Sequence, residues 1–535
     1  MVTLRAMGEK AVLAEVADLS AVVRLHAALA ADPLGGVDDL VPAARTVLIA
    51  FDPLRTSAAA VAAWVRAAAT GDPDAAPPGP LVEIATRYDG ADLDDTAEML
   101  GIRVDDLVAR HRAAEWTVAF TGFAPGFAYL LSADWPFDVP RLDRPRLRVP
   151  AGAVGLAGAF SGAYPRDTPG GWRLIGSTDA VLFDPEAVDP VLLPPRTRVR
   201  FVPRRERAHV VGPREPDRTT PTSGRPDAAA FSSAGDSSPH VARSSTAGAA
   251  PGPALRILAP GPLVTVQDLG RPGRAALGVA RSGALDRGAL RIANRLVGNA
   301  ESAAALEITL GGFSVRAEHD CWVAVTGALA DVRVDGRGVP AYEPVRLARG
   351  AELTIDPARA GLRLILAVRG GVVAEPVLGS RSTDVLARLG PPPLRSGDLV
   401  RAGTATGEVP AVDGVPWSVP PAVLEVGLRP GPRADWFTPS SVDALTDASW
   451  TVSTDIDRIG IRLDGPVLER TRHDELPSEG MRPGALQVPP HGRPVILLAD
   501  GPVTGGYPVI GVIPDAALDA LAQVRPGDRV RFRRA

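Results

Sequence analysis

The 535-residue chain contains one cysteine, Cys321. That excludes an internal disulfide and any CxxC-type metal or redox motif. Lysine is as scarce: Lys10 is the only one, and arginine carries nearly all the positive charge. A phosphate-binding P-loop needs Gly-Lys-Ser/Thr after a glycine-rich turn. Lys10 is followed by Ala11, so no such loop exists. A biotinyl-lysine, a pyridoxal Schiff base and a Ser–Ser–Lys amidase triad also require a lysine, which leaves Lys10 as their one candidate. No apolar run approaches the ~20 residues of a membrane span. Residues 1–10 lack the basic-then-apolar pattern of a signal peptide, so the expected compartment is the cytoplasm and no membrane partner is expected. A net charge of −4 argues against a nucleic-acid partner.

Glycine and proline are abundant, 55 and 53 residues, while hydrophobic residues still make up 45%. That is the composition of a loop-rich globular chain rather than a disordered one. At roughly 150 residues per domain, three or four domains are expected. Segment 204–254 is rich in Ser, Thr, Pro, Gly and Ala. With so few large apolar side chains it cannot offset its ordering entropy, and it is read as a disordered linker between two halves. The halves close alike, RTRVRFVP at 196–203 and RPGDRVRF at 525–532. Each is a turn followed by an alternating basic and apolar strand, as at the close of a barrel.

In the left half, strands are expected at 11–15, 37–41, 46–51 and 81–86, with helices at 19–31 and 57–69. That βαββαβ order is ferredoxin-like. Helices at 92–100 and 103–113 and a strand at 116–120 follow. Beyond them, short apolar runs between Gly and Pro turns suggest a β-barrel or sandwich. The right half is mostly β, with helices near 286–296 and 516–523.

The chemistry-bearing runs of the left half are FTGFAPGFAYL (120–130), PRLDRPRLRVPAGAVGLAG (140–158) and SGAYPRDTPGGW (161–172). Their glycines, Gly126, Gly170 and Gly171 among them, expose amides that can cradle an anion. Arg141, Arg146 and Arg148 suit bidentate contact with carboxylate or phosphate. Phe123, Pro125, Tyr129, Tyr164 and Thr168 complete that pocket. The same glycines also make tight turns, and the same arginines a solvated face. His111, before the strand leading into the cluster, is the general-base candidate; a structural hydrogen bonder is the plainer role. The histidines form no HExxH or i,i+4 pair, so no metal site is expected.

The right half offers TVQDLGRPG (265–273), with Gln267, Asp268 and Arg271, then a run with Ser282 and Asp286. Asp286 is equally a helix N-cap. Ser380, Arg381, Ser382 and Thr383 form a compact donor set for an anion. Arg458, Gln487, Thr504, Gly505, Gly506 and Tyr507 add a second polar group. Glu307, Glu479 and Asp500 can act as bases or hold Mg²⁺. There is no G-x-S-x-G elbow and no G-x-G-x-x-G after a strand, so serine-hydrolase and Rossmann readings lose their support.

GFAPGFAYL, RVPAGAVGLAG and YPRDTPGGWRLIG resemble the small member of the allophanate hydrolase pair, also called the B subunit of 5-oxoprolinase. TVQDLGRPG, SGALDRGALRIANRLVGN, LGSRST, SEGMRPGALQVP and TGGYPVI resemble the large member, the C subunit of 5-oxoprolinase. The pair is similar to the carboxyltransferase region of urea amidolyase, and to a bacterial histidine-kinase inhibitor and its antagonist. The resemblance implies a fusion that is α+β and mainly β. Its parts are an N-terminal α/β domain (1–88), a cyclophilin-like barrel (89–203), the linker (204–254), and two further cyclophilin-like barrels (255–375 and 376–535). It implies ATP- and Mg²⁺-dependent opening of 5-oxo-L-proline to L-glutamate, with a LamB/YcsF-type protein as the A subunit of 5-oxoprolinase. The two glycine/arginine clusters are expected to meet at the junction of the halves, with Arg146, His111, Asp286, Glu479 and Asp500 as catalytic candidates. A biotin-dependent carboxyltransferase acting on urea or a related amide, and a regulatory inhibitor of a histidine kinase, are the alternatives; homo-oligomer formation is left open. Several family positions differ, among them Ala153, Ser177, Asp457 and Val503, and the run Pro391-Pro392-Pro393.

Overall fold

The computed structural model describes residues 2–70, 79–204, 254–411, 415, 417 and 421–535. Apart from its two end residues, the linker expected at 204–254 lies outside the described residues.

The chain opens with a four-stranded antiparallel sheet in the order Thr3–Ala6, Ala11–Glu15, Thr46–Phe51, Val37–Pro42. Helices Leu19–Ala31 and Ala58–Ala69 start where the sequence supplies caps. Asp18 accepts from the amide of Ala21, and Ser57 from that of Ala60. Side chains alternate across a strand, and both faces of this sheet are covered. Val12, Ala14, Val47 and Ile49 pack under the two helices with Val22, Leu25 and Val61. Ala11, Leu13, Val41 and Leu48 pack against Met481, Leu497, Val509 and Val512 of the right half.

The ferredoxin-like expectation is corrected at its last strand. Leu81–Arg87 leaves the sheet and runs parallel to Arg198–Pro203 inside a barrel. The place beside Ala11–Glu15 is taken by Thr3–Ala6 through a short hairpin. Local burial gives the reason: in Leu81–Arg87 only Ile84 and Thr86 are buried, a one-faced pattern suited to a barrel wall and not to a sheet packed on both sides. The α/β unit therefore ends before residue 81 and not at 88.

Two closed barrels of seven strands each follow the same plan. In each, the first strand pairs in parallel with the last: Leu81–Arg87 with Arg198–Pro203, and Val423–Pro430 with Arg529–Arg534. In each, a tryptophan on the second strand donates its indole N–H to a carbonyl five residues back, Trp116 to His111 and Trp450 to Leu445, both at 3.0 Å. In each, a two-stranded ribbon stands beside the barrel, Arg146–Val149 with Thr168–Gly170 and Glu479–Gly480 with Thr504–Gly505. The echo between 196–203 and 525–532 marks this duplicated barrel.

The third expected barrel is not closed. Residues 254–401 form a six-stranded and a five-stranded sheet packed face to face. Ala360–Val368 is buried at eight of its nine residues. One of its faces lines the inter-sheet core and the other meets helix Arg287–Leu296 through Ile365 and Ala367. The strand is thus held between two packed layers, the facing sheet on one side and the helix on the other. Leu399–Arg401 pairs with Ala254–Ala259, so this unit extends past residue 375. Among the described residues no helix is long and apolar enough to cross a membrane.

Candidate active-site cleft between the two halves

A cleft of about 350 Å³ lies where the N-terminal sheet, the loop following Asp268 and the second barrel meet. The sheet contributes Lys10, Asp38 and Asp39; the loop contributes Arg271, Arg281 and Ser282; helix Arg287–Leu296 contributes Arg287; and the barrel contributes Arg482 and Asp515. Asp515 gathers the cations: Lys10 Nζ lies 2.9 Å away, Arg482 Nη2 3.3 Å and Arg287 Nη1 3.4 Å. Burial by itself would raise the Asp515 carboxyl. Arg287, Lys10 and Arg482 outweigh it and hold the group down at about 2. The exposed side chain of Arg281 makes no ion pair or hydrogen bond to a described residue. The chain's single lysine therefore lies in the cleft.

The loop is shaped by a turn that the sequence encodes. Asp268 Oδ1 accepts from the amide of Gly270 at 2.7 Å. Gly270 has φ +85°, and a Cβ there would come within 2.5 Å of the Arg281 carbonyl. Asp268 also receives Ser380 Oγ and Ser382 Oγ, both at 2.6 Å, and the Arg381 amide at 2.7 Å. Of the expected donor set, Ser380 and Ser382 thus meet an anion together with the Arg381 amide, and that anion is an internal carboxylate. Thr383 Oγ1 donates to the Pro391 carbonyl, and Gln267 Nε2 to Thr265 and to the Thr383 carbonyl. The Arg381 guanidinium is exposed and donates to the Ala374 carbonyl.

Behind the cleft, Arg458 is 1% exposed between Asp500 and Glu307, and Nη2 also donates to the Gly283 carbonyl at 2.7 Å. Burial disfavours its charge, but Asp500 and Glu307 outweigh burial and push its pKa up. Asp500 further accepts from the amide of Val385, and Glu307 from that of Leu285. These carboxylates anchor the loop. Asp384, beside them, is raised to about 6 by burial and by the charge of Asp500. Glu479 is held by Arg433, which also reaches Glu15 at 3.1 Å and so ties the second barrel to the N-terminal sheet. Burial raises the Glu479 carboxyl, and Arg433 opposes that rise.

The glycine-rich segments of the two halves meet beside this cleft. The Phe123 amide donates to Thr504 Oγ1 at 3.1 Å, and the Gly126 amide to the Leu277 carbonyl at 3.1 Å. Gly278 packs against Ala124 and Pro125. A Cβ on Gly122 would lie 2.2 Å from Thr504 Oγ1, so only glycine permits this approach. Phe123 and Tyr507 are 40% and 46% exposed. Gln487 is buried, with Nε2 donating to Met481 Sδ at 3.3 Å and to the Tyr507 carbonyl at 3.4 Å.

The other left-half candidates lie elsewhere. Arg146 pairs with Asp92, Arg148 with Asp167, and Arg141 with Glu475. Tyr129 and Tyr164 are buried in an aromatic cluster with Phe127 and Trp172, and Gly170 fits beneath the Tyr164 hydroxyl. Thr168 belongs to the ribbon beside the first barrel, and Gly171, just past it, accepts from the Leu142 amide at 2.8 Å. His111 is fully buried between Tyr88 Oη and Ser161 Oγ, each at 2.8 Å, and burial lowers its pKa to about 3. It is a neutral hydrogen bonder inside the barrel. Asp286 caps helix Arg287–Leu296 through the Ala289 amide at 2.8 Å and accepts from Gln523; burial raises it to about 6. Arg281, Arg287, Arg482 and Asp515 were not anticipated. Arg482 falls within SEGMRPGALQVP, one of the runs that carry the family resemblance, and TPGGW against VTGGY is a second repeat signal.

Duplicated barrels, a central two-sheet unit and an α/β sheet clamped between halves define the class. Residues 277–534 match the carboxyltransferase domain, subdomains A and B, and residues 2–193 match subdomains C and D. The chain belongs to the carboxyltransferase-domain family, as a fusion of homologues of the B and C subunits of 5-oxoprolinase. It is 40% identical over 284 residues to the 5-oxoprolinase C subunit of Escherichia coli K12, covering 52% of this chain and 90% of that protein. It is 46% identical over 133 residues to the 5-oxoprolinase B subunit of Escherichia coli O157:H7, covering 24% of this chain and 61% of that protein. The crystal structure of TTHA0988 superposes with a TM-score of 0.81 at 32% identity, covering 100% of this chain and 99% of that one.

Proposed function

We propose that the chain is the fused B–C component of an ATP-dependent 5-oxoprolinase, and that a LamB/YcsF-type protein, the A subunit of 5-oxoprolinase, completes the enzyme. One observation carries the reading. Halves similar to two separate 5-oxoprolinase subunits close around a cleft lined by Lys10, Arg281, Arg287 and Arg482. An unstrained lactam resists water. Transfer of the terminal phosphoryl group of ATP to the lactam oxygen activates the ring carbon: water adds there, the C–N bond breaks with the nitrogen taking a proton, and a second water releases phosphate from the resulting acyl phosphate, giving L-glutamate, ADP and phosphate. Such transfer asks a protein mainly for positioning and for positive charge around the phosphoryl oxygens, which these side chains can supply. Among the described residues no three His, Cys, Asp or Glu side chains gather as a metal centre. Magnesium bound chiefly through nucleotide phosphates needs only one or two carboxylates, and Asp38 at the rim is available for that. A carboxyltransferase acting on an amide is the second reading, favoured by the family description of both halves.

The test mixes the chain with a LamB/YcsF-type partner, ATP and Mg²⁺ and follows phosphate and glutamate. Release of both that depends on 5-oxoproline is expected. No release with 5-oxoproline, but carboxylation of urea when carboxybiotin is supplied, would overturn the reading. Arg281→Gln is expected to lower kcat/KM about tenfold or more, the scale of one charge-assisted hydrogen bond, with an unchanged melting temperature.

A further inference from the structure

Ser282 is held in a left-handed backbone conformation, φ +55°, that serine seldom takes. Its amide donates to the Ala499 carbonyl of the second barrel at 3.0 Å. Its own carbonyl oxygen would lie 2.6 Å from a Cβ on Gly270. Ser282 is 4% exposed and lies in the wall of the cleft beside Arg281. Behind it is the carboxyl of Asp384, fully buried. The Ser282 hydroxyl faces that carboxyl and favours its charged form. The contact is loose: neither Ser282 Oγ nor Asp384 Oδ2 has a partner at hydrogen-bond geometry among the described residues. Asp384 Oδ1, by contrast, is fixed by the Ala387 amide at 2.7 Å.

Each element packed around the Asp384 carboxyl brings charge to it. Arg271 faces it from the loop after Asp268, Arg166 from the first half and Asp500 from the second barrel. Asp268 and Asp500 act on Arg271 in turn, Arg388 acts on Arg166, and Arg458 pairs with Asp500 and Glu307. With Asp384 ionised these charges balance, yet none of the cations bonds to Oδ2. The arrangement therefore leaves a carboxylate lone pair free, with one hydroxyl between it and the cleft. Unmet buried polar atoms are uncommon, and strained backbone concentrates at active sites. We propose that Ser282 and Asp384 form a proton relay into the cleft, in which Ser282 exchanges protons with the reacting groups and Asp384, acting through Ser282, holds the proton in between. The substrate rests on the 5-oxoprolinase reading. On it, the water that adds to the activated ring carbon gives a proton to Ser282 Oγ, and the hydroxyl's own proton passes to Asp384 Oδ2. The proton returns by the same route to the ring nitrogen as the C–N bond breaks, so the pair ends as it began. Burial and Asp500 raise the Asp384 carboxyl to about 6, which suits a group that takes up and returns a proton near neutrality. Asp384 must start ionised, so turnover falls as pH drops below that value.

Infrared difference spectra of the full chain between about pH 5 and 8 test the pair without turnover. A protonated-carboxyl C=O band is expected at the acid end, absent in Asp384→Asn and shifted in Ser282→Ala. Asp286 titrates in the same range, so the Asp384 band is the one that Asp384→Asn removes. Turnover of 5-oxoproline with the LamB/YcsF-type partner is the second readout. Asp384→Asn should lower kcat about a hundredfold or more at unchanged KM and remove the acid limb of the pH profile. Ser282→Ala should lower kcat about tenfold or more. Ser282→Gly, which suits the positive φ and also lacks the hydroxyl, should match it. If Asp384→Asn does not fold, the two Ser282 variants decide. An infrared band unmoved by loss of the Ser282 hydroxyl would overturn the relay, as would spectra of Asp384→Asn identical to wild type or an acid limb that survives in that variant. No turnover of 5-oxoproline, with the band behaving as expected, would remove the enzymatic reading and leave the relay standing.

Discussion

Arg458 carries its charge at 1% exposure because Asp500 and Glu307 face it from two sides. Removing one partner of a buried ion pair strands the other, at a cost of about 3–5 kcal/mol. Arg458→Ala, which strands both carboxylates, is therefore expected to destabilise the chain by that amount in urea unfolding; a loss below about 1 kcal/mol would refute the anchoring role. His111 makes a different prediction. Its pKa is about 3 in the fold and near 6.5 in an unfolded chain. Between these values protons bind only the unfolded state, so stability falls as pH drops, by about 1.4 kcal/mol per pH unit. His111→Gln should remove that one-proton slope from urea midpoints measured between about pH 4.5 and 6.5. An unaltered slope would mean that His111 is charged in the fold. At this scale residue type was legible but partner was not. Ser380 and Ser382 do bind an anion, and it is Asp268, more than a hundred residues away in sequence.

Elements were easier to read than their neighbours. The helices beginning after Asp18, Ser57 and Asp286 start at side chains that accept from the first turn, a local signal. The strand at 81–87 was legible as a strand, but its partner was not, because parallel pairing with Arg198–Pro203 closes a long loop and leaves no local mark. The loop 120–126 depends on a distant hydroxyl. Thr504→Val keeps the side-chain volume and strands the Phe123 amide, which should cost about 1–3 kcal/mol. Gly122→Ala should loosen the same contact through a clash at Thr504. Wild-type unfolding midpoints in both variants would show that the loop does not rely on this approach.

At the scale of the whole molecule, the N-terminal sheet joins the two halves. Leu13, Val41 and Leu48 pack against Met481, Leu497 and Val512, and Arg433 bridges Glu15 and Glu479 across the same boundary. Residues 1–204 and 254–535 produced as separate chains should therefore co-elute on gel filtration at micromolar concentration. Arg433→Ala, which leaves Glu479 buried beside Glu15, should separate them. Separate elution of the wild-type pieces would refute an interface that holds without the connecting segment.

Composition and local pattern determined much on their own: a β-rich chain in two halves, the helix starts, the echo of a repeated closing strand, the absence of a P-loop and the runs that carry the family resemblance. These depend on interactions within a few residues or on the residue inventory. Only the tertiary structure decided that one pair of sheets stays open while two barrels close, that His111 and Glu479 are buried in structural contacts, and that Lys10, Arg281 and Arg482 line one cleft. Those outcomes follow from burial and from charge pairing between segments hundreds of residues apart, and neither is encoded in local periodicity.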